Sequence, residues 1–203
     1  MAYKNDIFIS YRRNSETLEW INNHLVPLLS LRLGFELGRP PQIYIDTQLE
    51  TGVSWPNQLG KELACSRILF VLWSGNYLNS KWCTEEMSLM LERERKTKRR
   101  SEQNPRGLVV PAFIHDGDKF PYSASDIQYF EIQKCFNVRM AKDSVRAEEL
   151  DSILTSEAPA IAKAIQQAPP WRKEWVQIAT QNLYKQLFKG DVAQKTLPRF
   201  SSR

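Results

Sequence analysis

Trp82 and Glu86 stand four residues apart in the run Asn79-Ser-Lys-Trp-Cys-Thr-Glu-Glu-Met87, at the start of a segment with helical spacing. Residues at i and i+4 lie one above the other on a helix, so an indole plane and a carboxylate project together. Such a pair can hold a flat, electron-poor ring beside a centre where positive charge develops. The same spacing also fits a Trp packed at the rim of the core with an ordinary surface glutamate beside it. At ~100° per residue, Cys83, Met87, Met90 and Leu91 form one apolar stripe, and Trp82 and Glu86 form a second, offset stripe. That phase predicts the pair at the edge of the buried face, with Glu85 turned away as a solvated neighbour.

The elements that must position this helix alternate between strand and helix. Asp6–Tyr11 reads as a short buried strand, and Asn14 or Ser15 can cap a helix carrying Leu18, Ile21, Leu25, Leu28 and Leu29. Gly34, Gly38 and Pro40–Pro41 break that pattern, which leaves a long connection over Arg32–Pro41 before a second strand at Gln42–Asp46. Pro56 suits the first turn of a helix ending at Ala64. Arg67–Trp73 is the strongest strand signal, and the helix of Trp82 and Glu86 then runs to about Lys98. Further strands are predicted at Leu108–Ile114 and Ile127–Ile132, then a helix over Ala147–Gln167 that Pro159 should kink or split. This alternation predicts a parallel sheet covered on both faces, which binds ligands beyond the carboxyl ends of its strands. Tyr11–Arg13, the loop after Asp46 and the segment after Trp73 converge on that rim. Residues 1–168 are thus expected to form one domain, and residues 169–203 an added amphipathic helix with a flexible tail. Trp175, Ile178, Ala179, Leu183 and Leu187 would dock that helix on the domain or on a partner protein.

Composition narrows the classes. The 203 residues are 42% hydrophobic and 25% charged, as in a soluble domain. No apolar run approaches the ~20 residues that cross a bilayer, and the N-terminus lacks a signal-peptide pattern. Three unclustered cysteines fit free thiols in a reducing cytoplasm. Two histidines and no Cys-x-x-Cys spacing indicate no metal site. The +5 charge sits largely in Arg93–Arg100 and the C-terminal tail. Cations at the end of a helix complement its dipole, and without a nucleic-acid motif they read as a solvated helix end.

Five segments, in order, resemble one family. Asp6-Ile-Phe-Ile-Ser-Tyr-Arg-Arg13 is similar to the opening strand of TIR (Toll/interleukin-1 receptor) domains. Ile45-Asp46 with Leu49-Glu50-Thr51-Gly52 and Trp55 resembles the second strand and the BB loop. Cys65-Ser66-Arg67, then Ser74, Tyr77, Ser80, Trp82-Cys83 and Glu86, resembles the pattern of bacterial and plant members, and Pro111 with Asp116 and Pro121 fits the fourth strand and its loop. The resemblance covers about residues 4–167 and implies an α/β, flavodoxin-like fold with a five-stranded parallel sheet.

The family contains adaptors that act only by TIR–TIR contact and others that are NAD+ glycohydrolases. The catalytic members carry a glutamate four residues after an aromatic, which Glu86 and Trp82 match. The resemblance therefore implies NAD+ as substrate, with no other cofactor, Glu86 as the catalytic carboxylate, self-association through TIR–TIR contacts and a role in bacterial antiphage defence. Products would be nicotinamide with linear, cyclic or modified ADP-ribose. Breaking the ribose–nicotinamide bond develops oxocarbenium character at the sugar. A fixed carboxylate can stabilise that charge, and neutral nicotinamide leaves without an acid. On this reading Arg12 and Arg13 meet the pyrophosphate, although one of them has an ordinary salt bridge as its alternative. Tyr11 stacks on a ring or belongs to the core, and Asp46 touches ligand or caps a turn. Glu50 and Gly52 lie in the BB loop, where glycine lets backbone approach the ligand. Trp82 walls the pocket. Trp55 and Trp73 read as packing residues.

Overall fold

The computed structural model describes residues 2–46, 55–102, 106–115 and 127–191, with side chains described except at 55, 56 and 184–191. The elements are β1 (Asn5–Ser10), α1 (Ser15–Trp20), a π turn (Ile21–Leu25), α2 (Val26–Leu37), β2 (Ile43–Ile45), α3 (Trp55–Ala64), β3 (Ser66–Ser74), α4 (Gly75–Leu78), α5 (Lys81–Lys96), β4 (Val109–His115), β5 (Phe130–Glu131), α6 (Val145–Gln166) and α7 (Glu174–Asp191). The strands pair in parallel in the order β2-β1-β3-β4-β5, with Ile7 opposite both Ile43 and Ile68. This is the predicted five-stranded flavodoxin-like sheet. Its order reverses between β1 and β3, where ligands of open α/β sheets gather.

Strand alternation sorts the core into two faces. Ile7, Ile9, Ile68, Phe70 and Leu72 pack with Trp20, Leu29, Leu150 and Ile165 under α1, α2 and α6. Phe8, Leu69, Val71 and Trp73 pack with Leu59, Tyr77, Cys83 and Met90 under α3, α4 and α5. By the same alternation Ser10 falls on the second face and Tyr11 on the first. This is how a serine at the end of β1 comes to face α5.

Several sequence expectations change in detail. Asn14 is the cap of α1, its Oδ1 accepting the Thr17 amide at 2.7 Å. Gly34 does not interrupt α2; the helix ends at Gly38, whose φ of 68° is left-handed. The apparent long connection at Arg32–Pro41 is therefore mostly helix. Pro159 does not split α6, which is continuous from Val145 to Gln166. Pro159 and Thr155 both lie exposed, so the Thr155 carbonyl that loses its amide partner can turn to water, while buried Leu154, Ala158 and Ile161 hold the helix on either side. β5 is shorter than the predicted strand at Ile127–Ile132.

The C-terminal helix docks within the chain. Trp175, Ala179 and Leu183 are buried, and α7 lies so close to α3 that a Cβ at Gly60 would meet the Thr180 backbone at 2.8 Å. Among the described residues no helix is long and apolar enough to cross a membrane.

Candidate active site

α5 is capped by Ser80, whose Oγ accepts the Cys83 amide at 3.5 Å. Its inward stripe is Cys83, Glu86, Met90, Arg93 and Glu94, while Met87 and Leu91 are only half-buried. Glu86 thus sits within the buried face rather than at its edge, and its residue is 3% exposed. The basic run at the helix end is likewise not wholly solvated. Arg93 is buried, donating to the Ser66, Leu63 and Ala64 carbonyls and lying 4.3 Å from the Trp175 ring centroid. Glu94 accepts the Val109 amide at 2.8 Å and Arg100 Nε at 2.7 Å, which ties α5 to β4. Sequence spacing cannot register charges that are buried because the backbone of another element satisfies them.

Glu86 meets the end of β1. Its Oε2 is 2.5 Å from Ser10 Oγ, Ser10 Oγ is 2.8 Å from Tyr77 Oη, and Tyr77 Oη donates to the Cys83 carbonyl at 3.0 Å. Burial pushes the Glu86 carboxyl up to about 8, and the nearby Asp46 charge adds to the rise, against the Ser10 hydrogen bond and Arg13. Burial, with the Glu86 charge next, pushes the Cys83 thiol up to about 12 and Tyr77 well above its ordinary value. A carboxyl raised by burial and a neighbouring acid at the carboxyl rim of a parallel sheet is a functional-site candidate on physical grounds.

The other predicted residues separate into those around Glu86 and those beside it. Asp46 is buried at the end of β2 and pairs with Arg13, whose Nε donates to Oδ2 at 2.8 Å. Arg13 is therefore the arginine committed to a salt bridge. Tyr11 is in the core, and its hydroxyl donates to the Asp46 carbonyl at 3.0 Å; it supports the rim from behind instead of offering a ring face. Arg12 is exposed and lines a cavity of about 240 Å³ with Asn14, Thr17, Ser74, Asn76 and His115 at the β1/β3 crossover. Trp82 is half-buried against the α5 side of the core. Trp73 is fully buried, as a packing residue should be. Glu50 and Gly52 lie outside the described residues, as do Asp116, Pro121 and the tail after Asp191.

Ser10 had no predicted role, and Tyr77 was noted only as part of a family pattern. The period-two alternation of β1 was the available signal for Ser10. It needed the face of α5 to acquire meaning.

A family model described as the TIR domain matches residues 7–143, more than half of the 203-residue chain. The chain belongs to the TIR domain family. Among solved structures, this TIR domain is similar to that of the Toll-related receptor TRR-2 from Hydra magnipapillata, at 17% identity and a TM-score of 0.45. That alignment covers 63% of this chain and 84% of the Hydra chain. It is also similar to the TIR domains of the activated Roq1 resistosome recognising the effector XopQ, at 20% identity and a TM-score of 0.38, over 91% of this chain and 100% of that one. No curated protein matches the chain.

Proposed function

We propose that this TIR domain cleaves the N-glycosidic bond of NAD+, with Glu86 as the acting carboxylate. The observation that carries the reading is a buried Glu86 at the carboxyl rim, one helical turn from Trp82 and beside the Asp46–Arg13 pair. As the ribose–nicotinamide bond breaks, its electron pair passes to the pyridinium nitrogen, which leaves neutral, and positive charge moves onto the sugar. Ionised Glu86 stabilises that charge. Attack by water gives ADP-ribose, with Glu86 accepting the proton of the water; attack by a nucleophile of the same dinucleotide gives a cyclic product. On this reading Arg12 meets the pyrophosphate and Trp82 walls the ring. Depletion of NAD+, or release of an ADP-ribose signal, would serve defence against phage.

A single observation favours a second reading. Glu86 is nearly closed off, and the rim cavity lined by Arg12 does not include it. A non-catalytic module acting by TIR–TIR assembly would need no access to it. On the catalytic reading, self-association opens or completes the site.

Concentrated protein incubated with NAD+ and resolved by chromatography should yield nicotinamide and an ADP-ribose product, and Glu86→Ala should yield neither. Equal turnover by both proteins removes Glu86 from the mechanism. No turnover under any assembling condition selects the interaction module.

A further inference from the structure

We propose that Glu86, Ser10 and Tyr77 form a proton chain ending on the Cys83 carbonyl, which holds Glu86 as a neutral acid until a cation occupies the site. That the chain serves catalysis rests on the reading of Glu86 as the acting carboxylate; the chain itself does not.

The three contacts, Glu86–Ser10, Ser10–Tyr77 and Tyr77–Cys83 carbonyl, each need one proton. The carbonyl can only accept, so the Tyr77 proton is the one that can serve it. With that proton spent, the single Ser10 proton can go to Glu86 or to Tyr77 but not to both, and a proton on Glu86 lets Ser10 accept from Glu86 and donate to Tyr77. Neutral Glu86 satisfies all three contacts in one direction. Ionised Glu86 leaves two protons for three contacts, so a pair of buried oxygens faces each other with no hydrogen between them. An unmade bond among buried polar groups is costly.

The surroundings act in the same sense. The groups facing Glu86 are Asp46 at the end of β2, Tyr11 and Arg13 at the end of β1, Tyr44 on β2, Tyr77 on α4 and Cys83 on its own helix. Arg13 is the cation among them, and it is paired with Asp46. Arrival of a cationic ring supplies the missing charge. Glu86 then loses its proton to water, and the Ser10 hydroxyl turns to donate to the carboxylate. Ser10 and Tyr77 are positioning residues on this account, acting through Glu86.

The test is a direct titration of Glu86 in the free protein, by carbon NMR of protein labelled at the glutamate carboxyls, assigned by the signal lost in Glu86→Gln. Glu86 should titrate above neutrality. In Tyr77→Phe, Ser10 can donate to the carboxylate with no competing contact, so the Glu86 midpoint should fall by about one pH unit, the worth of one hydrogen bond. If Tyr77 merely filled space, loss of a hydroxyl would make the site more apolar and move the midpoint up. A Glu86 midpoint in the ordinary carboxylate range overturns the chain, as does an unchanged or raised midpoint in Tyr77→Phe. Should that variant fail to fold, infrared spectra of the wild type decide. A protonated-carboxyl carbonyl band near pH 6.5, absent from Glu86→Gln and lowered in frequency as for a hydrogen-bonded carboxyl, supports the chain; no band, or a band at the frequency of a carboxyl without a hydrogen bond, overturns it. None of these measurements uses turnover. A protein inert toward NAD+ with Glu86 titrating as described refutes the glycohydrolase and leaves the chain standing.

Discussion

At the scale of the residue, the proposed chemistry turns on the protonation of Glu86. Its pKa in the folded protein, about 8, lies above the 4.5 of a free glutamate. The native state therefore binds more protons than the unfolded chain between those values, and stability falls as pH rises across that window. This contribution is fully present below the unfolded pKa and lost through the folded one. Denaturant melts of the wild type at pH 5 and pH 8.5 should show the decline, and Glu86→Gln, which is neutral at both, should flatten its share. If Glu86 acts as proposed, turnover should run the other way. kcat/KM reports the free enzyme, so its rise with pH should have a midpoint near 8. Asp46→Asn removes the neighbouring negative charge that raises Glu86 and leaves Arg13 beside it, so the rising limb should move to lower pH, as a pH–rate profile of the variant would show.

At the scale of the element, α5 carries the candidate site and its neighbours α3, β3, α7 and β4 hold it. Arg93 bonds three carbonyls around the α3–β3 junction and lies over Trp175 of α7, while Glu94 anchors the same turn to β4. These contacts fix the far end of the helix whose first turns present Trp82 and Glu86. α7 belongs to this bracing through the close approach at Gly60. Gly60→Ala puts a methyl against the Thr180 backbone, which cannot give way as a flexible side chain would. We expect a loss of roughly 1–3 kcal/mol in thermal or denaturant unfolding, the usual cost of overpacking. Hydrogen exchange of α7 amides should quicken in the variant, while those of α6, on the opposite face, should stay protected.

At the scale of the whole molecule, Glu86 lies almost closed off in the single chain, so a catalytic reading requires assembly to open or complete the site. Specific activity should then climb steeply with protein concentration or on a crowding support, and a monomeric dilution should be inactive; activity independent of concentration would place the whole site in one subunit. Much of the fold was legible in the sequence. Within Arg67–Trp73 the continuous apolar run from Ile68 suits a strand buried on both faces, and Asn14 or Ser15 marked the start of the first helix. Local patterns carried these because each depends on neighbours within a few residues. Pro159 and Gly34 misled for the same reason, since whether a helix survives a proline or glycine depends on what its remaining faces bury. Trp82 and Glu86 were legible as a pair, but not the depth of Glu86. Spacing places a side chain on a helix and says nothing of which direction is inward when three charged residues share the buried stripe. The sequence by itself determined the succession of strands and helices along the chain, the helix bearing the pair and the chemistry a carboxylate there can do. Only the tertiary structure decided that Ser10 and Tyr77 meet Glu86, because residues 67 and 76 positions apart are joined by the pairing of β1 with β3 and by the docking of α4 and α5 on one face of the sheet.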